Sequence, residues 1–143
     1  MDIKSINQSD AAYIAGLIDG EGTVTLTRKH ANENRQLAIT ISNTERQLLE
    51  YTKQTVGAGK ITNKRTTRSN HTPSYTYAVY NRQALALLGQ IRPYMRSYKA
   101  TRAERILRDY LALTPRNGKY TPALRQAREE FETAVLKIKA GHL

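Results

Sequence analysis

Two carboxylates close an apolar stretch near the start of the sequence. AAYIAGLIDGEG, Ala11 to Gly22, ends in Asp19 and Glu21, each followed by a glycine. Acids at a helix C-terminus oppose the macrodipole, so their presence needs a compensating reason. Oxygen ligands of this kind suit a hard cation, and glycine beside them lets the backbone approach another chain or a phosphate closely. The plain alternative is a helix end with two solvated acids. Other site chemistries lack their residues. Cysteine is absent, which removes thiolate chemistry and a disulfide framework. His30 and His71 sit in turns and His142 lies beside the C-terminus, so the histidines form no ligand set.

The elements that must position these acids follow from local patterning. Asp10 or Ser9 can cap a helix over about Ala11 to Ile18, which Gly20 and Gly22 then break. TVTLTRKH alternates, with Val24 and Leu26 on one face and Thr23, Thr25, Thr27 and Lys29 on the other. After the polar turn ANEN, RQLAITIS sets Leu37, Ile39 and Ile41 against Gln36, Ala38, Thr40 and Ser42, which predicts an antiparallel hairpin. A helix over 44–56, ended by Gly57 and Gly59, leads to a basic third strand, KITNKRTTR, and a fourth, SYTYAVY. In the fourth strand Tyr75, Tyr77 and Val79 share a face, which favours core packing over a base-stacking platform. RQALALLGQI is a further helix stopped by Pro93, KATRAERILRDYLAL another, and residues 123–139 a closing one with Leu124, Ala127, Phe131, Ala134 or Val135, and Ile138 at helical spacing.

The order α-β-β-α-β-β-α-α-α predicts an α+β fold with one four-stranded antiparallel sheet backed by helices. Its 143 residues make one domain, 1–143, with a core over 10–112 and a C-terminal helix from about 121 to 139. Lys and Arg number 23 against 12 acidic residues, a net charge of +11, which favours a polyanion partner over a bland basic surface. The outward strand positions Thr25, Thr27, Lys29, Gln36, Thr40, Thr62 and Lys64, with Arg28, Arg65 and Arg68 nearby, are rich in hydrogen-bonding groups. Such a face is either a solvated sheet surface or one that lies in a DNA major groove. Residues 1–10 lack the apolar run of a signal peptide and no stretch is apolar enough to span a membrane; the expectation is an intracellular protein of undetermined compartment, with no membrane or small-molecule partner.

IAGLIDGEG, Ile14 to Gly22, closely resembles the signature of the LAGLIDADG homing endonucleases, with Ile14 for Leu, Gly20 for Ala and Glu21 for Asp. The likeness extends over roughly 10–112: VGAGKI (56–61) is similar to the family's entry into its third strand, and IRPYMRSYKATRAE (91–104) to its proline-aromatic segment followed by a lysine at a helix start. The resemblance implies a Mg²⁺-dependent endonuclease making a double-strand cut in DNA, with Mn²⁺ substituting and Ca²⁺ binding without turnover. It makes Glu21 the metal ligand, with the Gly20 carbonyl a second one, and Asp19 a structural member of the motif. Lys99 matches the family's basic residue near the scissile phosphate, and Asn43 a polar residue that can position water. Arg46 is the nearest candidate for a second basic pocket residue. Only one motif copy is present, and single-motif chains of the family pair as homodimers through this helix. Ala12, Gly16 and Gly20, spaced i, i+4, with Ala15 and Asp19 beside them, are the expected interface, and the two-fold axis implies a palindromic or near-palindromic site. The resemblance also leaves open a non-cleaving DNA- or RNA-binding module of the same fold, an intron maturase or a transcription regulator.

Overall fold

A computed structural model describes residues 2–64 and 72–141. Helix α1 (Gln8–Glu21) leads into strands β1 (Gly22–Thr27) and β2 (Gln36–Asn43). Helix α2 (Arg46–Val56), β3 (Lys60–Lys64) and β4 (Ser74–Tyr80) follow, then α3 (Asn81–Ile91), a 3₁₀ turn (Arg92–Tyr94), α4 (Tyr98–Asp109) and α5 (Pro122–Lys137). The sheet is antiparallel with order β1-β2-β4-β3, so the second hairpin folds back to place β4 inside the sheet. The expected α+β architecture is the one observed. Among the described residues no helix is long and apolar enough to cross a membrane.

The strand alternation decides which face is covered. Val24, Leu26, Leu37, Ile39, Ile41, Tyr77 and Val79 point inward and join apolar residues from all five helices in one buried cluster. The register sets the opposite face in rows: Thr27 beside Gln36, Thr25–Ala38–Tyr80, Thr23–Thr40–Ala78–Lys60, and Ser42–Thr76–Thr62. Tyr75 and Tyr77 lie on the core face, as their company with Val79 predicts.

Two boundaries near the motif differ from the local reading, and α4 ends at Asp109 where KATRAERILRDYLAL predicts a helix to Leu113. Helix α1 begins at Gln8, where the Asn7 side chain accepts from the Asp10 amide, and runs through Gly20 to Glu21 instead of stopping near Ile18. Glu21 is therefore the last helical residue and does not lie past the helix end. Strand β1 stops at Thr27, so Lys29 sits in the exposed loop beyond it and not on the sheet. Gly22 makes the helix-to-strand junction possible: a Cβ there would lie 2.8 Å from Ile18 Cα and 3.1 Å from Thr40 O.

The C-terminal helix is anchored by buried charge. Arg128 and Glu132, one turn apart on α5, pair at 3.0 Å. Arg128 also donates to the carbonyls of Leu113 and Arg35, and Glu132 accepts from the Arg35 amide. Arg102 of α4 donates to Val24 O and to Ile138 O, tying β1 to the end of α5. These are interior ion-pair and carbonyl contacts, and their hydrogen bonds offset the cost of burying the charge.

Candidate active site and nucleic-acid interface

The two acids of the motif have different surroundings. Asp19 is consumed within the chain: its carboxylate accepts from the Arg96 amide at 2.7 Å, the Ser97 amide at 3.2 Å and Ser97 Oγ at 2.6 Å. It thereby braces the start of α4. In return Lys99, in the first turn of α4, donates from Nζ to the carbonyls of Ile18 and Asp19, 2.9 Å each. An ammonium at the C-terminal end of α1 complements the helix dipole and occupies carbonyls that a helix end leaves without partners. This exchange supplies the compensation that an acidic helix end requires. Lys99 is only 8 % exposed. Burial pulls its pKa below that of an ordinary lysine, and the nearby Asp19 charge opposes that shift.

Glu21 remains uncommitted. It is exposed, and its one side-chain partner among the described residues is Asn43 Nδ2, at the end of β2. Asn43 Oδ1 in turn accepts from the Glu45 amide at 2.7 Å, which fixes the side chain at the entry to α2. The fold thus brings Glu21, Asn43 and Lys99 to one end of α1, from segments far apart in sequence. Arg46 faces elsewhere: it pairs with Glu50 at 3.0 Å and stacks over the Tyr75 ring. A surface groove of about 890 Å³ runs along α2 past Lys4, Arg46 and Gly59 and is lined by none of Glu21, Asn43 and Lys99.

A second feature of α1 is its free face. Ala12, Tyr13, Gly16 and Gly20 are exposed, and a Cβ at Gly16 or Gly20 would meet nothing within 4 Å. Ala15, in contrast, is fully buried in the chain's own core, which takes it off this face. Asp19 is likewise engaged within the chain. On the sheet, Thr25, Thr27, Gln36, Thr40 and Thr62 all lie on the outer face. The side chain of Lys64 and the whole of Arg65, Arg68, His71 and His142 fall outside the described residues. Reading the strands singly missed Lys60, Thr76 and Tyr80 on the same face, which the pairing register sets beside Ser42, Thr40 and Ala38.

A family model described as a LAGLIDADG-like domain matches residues 8–92. The chain belongs to the LAGLIDADG-like family. No curated protein matches the sequence significantly. Among solved structures, the homing endonuclease I-CvuI in complex with its target in the presence of Ca²⁺ superposes with a TM-score of 0.73 at 16 % identity, covering 94 % of this chain and 84 % of that one. I-CvuI has also been solved with a different target in Mg²⁺, the DNA not cleaved. The archaeal intron-encoded homing endonuclease I-Vdi141I, complexed with DNA, gives 0.60 at 17 % identity, covering 93 % and 86 %. The meganuclease I-SmaMI, bound to uncleaveable DNA, gives 0.68 at 18 % identity, covering 93 % of this chain and 47 % of that one. At these identities the likeness establishes that this LAGLIDADG-like chain has the homing endonuclease fold.

Proposed function

We propose that this LAGLIDADG-like chain is a site-specific homing endonuclease that acts as a homodimer and makes a metal-dependent double-strand cut in DNA. The observation that carries the reading is the exposed Glu21 carboxylate, held by Asn43 at the end of α1 while Asp19 is spent on α4. Among the described residues no group of three or more His, Cys, Asp or Glu could hold an ion. One carboxylate per chain fits Mg²⁺, which binds through one or two carboxylates together with phosphate oxygens and water. When bound, the ion supplies an activated water and neutralises charge on the leaving oxygen. In this reading Glu21 and the Gly20 carbonyl contribute the chain's oxygens, and Asn43 holds the carboxylate in place. Lys99 fixes the helix end beneath them and adds positive charge where phosphates gather.

The dimer places two copies of α1 face to face through Ala12, Gly16 and Gly20, whose small side chains let backbones come close. Two Glu21 carboxylates then lie side by side, one for each DNA strand. The outer sheet faces, carrying Thr25, Thr27, Gln36, Thr40 and Thr62, would enter successive major grooves, with Lys29 in the loop beyond β1 reaching phosphates or base edges. The net charge of +11 suits a duplex partner.

The test is a library of palindromic duplexes incubated with Mg²⁺, Ca²⁺ or no metal. The reading requires cutting of a selected sequence with Mg²⁺, cutting also when Mn²⁺ replaces it, and an intact complex with Ca²⁺. Sequence-selective binding with no cutting under any metal would give the non-cleaving module instead.

A further inference from the structure

The Gln36 amide is held in one orientation by a short chain of hydrogen bonds. Strand β4 ends at Tyr80, opposite Ala38, so the Leu37 amide lies just beyond the last pair of that ladder. It donates instead to the hydroxyl of the buried Tyr110, at 3.3 Å. A backbone N–H can only donate, so the hydroxyl accepts there and gives its own proton to Asn81 Oδ1, at 3.0 Å. With its oxygen engaged, Asn81 presents its nitrogen to Gln36, and Nδ2 donates to Gln36 Oε1 at 3.1 Å. Asn81 holds this place at a backbone cost. It is the one non-glycine with positive φ, 55°, among the described residues, a conformation asparagine tolerates better than most side chains.

We infer that Tyr110 and Asn81 are positioning residues for DNA sequence selection: they turn the Gln36 amide so that its NH₂ faces outward, and Gln36 reads a keto base, guanine or thymine, in the major groove. This rests on the reading above that the outer sheet face meets base edges. A free glutamine offers either end of its amide, and with both ends it pairs adenine. Here Oε1 is committed to Asn81, which leaves Nε2 for an external acceptor. In the major groove guanine shows acceptors at O6 and N7 and thymine at O4; cytosine shows only its N4 amino donor, and adenine sets its N6 amino donor beside N7, so at the O6/O4 place only the keto bases accept. A donor presented there selects keto over amino bases.

The experiment is selection of bound duplexes from a randomised palindromic library by the full-length protein in Ca²⁺, followed by sequencing. Gln36→Ala identifies the position that Gln36 reads, by loss of preference there. At that position the unsubstituted protein should favour G or T by about tenfold or more. Asn81→Gly keeps the backbone conformation without the amide, frees Gln36, and should reduce the preference to below about threefold with the rest of the profile unchanged. Tyr110→Phe should act in the same direction. Asn81→Asp offers only acceptors, so Gln36 must turn its NH₂ inward and its oxygen outward; the preference should invert to A or C. A structural role for Asn81 would weaken binding at every position and invert none. The inference is overturned if the Asn81→Asp and Asn81→Gly proteins select the unsubstituted profile at the Gln36 position, or if that position prefers amino bases from the start. Loss of all sequence selection by the unsubstituted protein would instead bring down the DNA-binding reading, and this inference with it.

Discussion

Replacing Lys99 by Met keeps most of the aliphatic stem and removes the ammonium. Two charge-assisted hydrogen bonds of 2.9 Å disappear, to Ile18 O and Asp19 O. Bonds to a charged group contribute about 1.5–3 kcal/mol each. Part of that is offset because the cost of holding a cation at 8 % exposure disappears as well. The carbonyls at the end of α1 lose their donor, and Asp19 keeps its amide and Ser97 partners but loses its nearest opposite charge. A net destabilisation of about 2–4 kcal/mol follows. Urea unfolding at fixed protein concentration reads it as a midpoint shift of about 1–2 M, given slopes of roughly 1–3 kcal/mol/M for small proteins. Proton linkage gives a second readout. Burial sets the folded pKa of Lys99 below its ordinary 10.5, so the unfolded chain holds that proton to higher pH. The contribution of Lys99 is therefore least favourable below the folded pKa and improves as pH rises towards 10.5. The stability gap between the unsubstituted protein and Lys99→Met should widen with pH across that window. A loss below about 0.5 kcal/mol would refute the reciprocal bracing of α1 and α4, and a gap that narrows with pH would refute the lowering of the Lys99 pKa by burial.

Three further outcomes follow from the same contacts. Gly22→Ala drives a methyl to 2.8 Å from Ile18 Cα and should cost about 1–3 kcal/mol in the same assay; an unchanged midpoint would mean the junction relaxes freely. Glu132→Ala leaves Arg128 buried without its partner and should cost about 3–5 kcal/mol, with amide exchange in α5 rising towards that of a detached helix. Gly16→Leu meets nothing within 4 Å in the single chain, so helix content should persist while light scattering at micromolar concentration reports a monomer; a Gly16→Leu dimer would place the interface elsewhere.

How much of this could be read from the sequence depended on whether the controlling contact was local. Strict alternation in TVTLT and QLAITIS assigned both faces of β1 and β2 correctly, because a period of two leaves no choice once one face is apolar. In SYTYAVY the shared face of Tyr75, Tyr77 and Val79 favours the core, and register with β2 settles that parity and sets Tyr80 outward beside Ala38. Helix α1 was read too short because Gly20 and Gly22 look like breakers. The last turn is held by Lys99 and Asp19 contacts some 80 residues away in sequence, as in the Lys99 Nζ to Asp19 O bond. That pair cannot be inferred from local propensity. The Arg128–Glu132 pair was legible and overlooked: an oppositely charged i, i+4 pair flanking Phe131 and Val135 on an apolar stripe signals a buried ion pair. At the candidate site, Glu21 and Asn43 were named from their motif positions, but their contact required the end of β2 to run beside the end of α1.

In the proposed function Glu21 is the carboxylate on which cleavage depends. Glu21→Gln is nearly isosteric and exposed, so the fold should survive with a stability change within about 0.5 kcal/mol. What disappears is the negative charge that would hold a hard cation among phosphates. A gel-shift titration and a cleavage time course on the same selected duplex separate the two consequences. Glu21→Gln should bind the duplex at least as tightly as the unsubstituted protein, because a carboxylate facing phosphates repels them until metal arrives, and should cut neither strand in Mg²⁺. Cutting by Glu21→Gln at close to the unsubstituted rate would contradict that dependence.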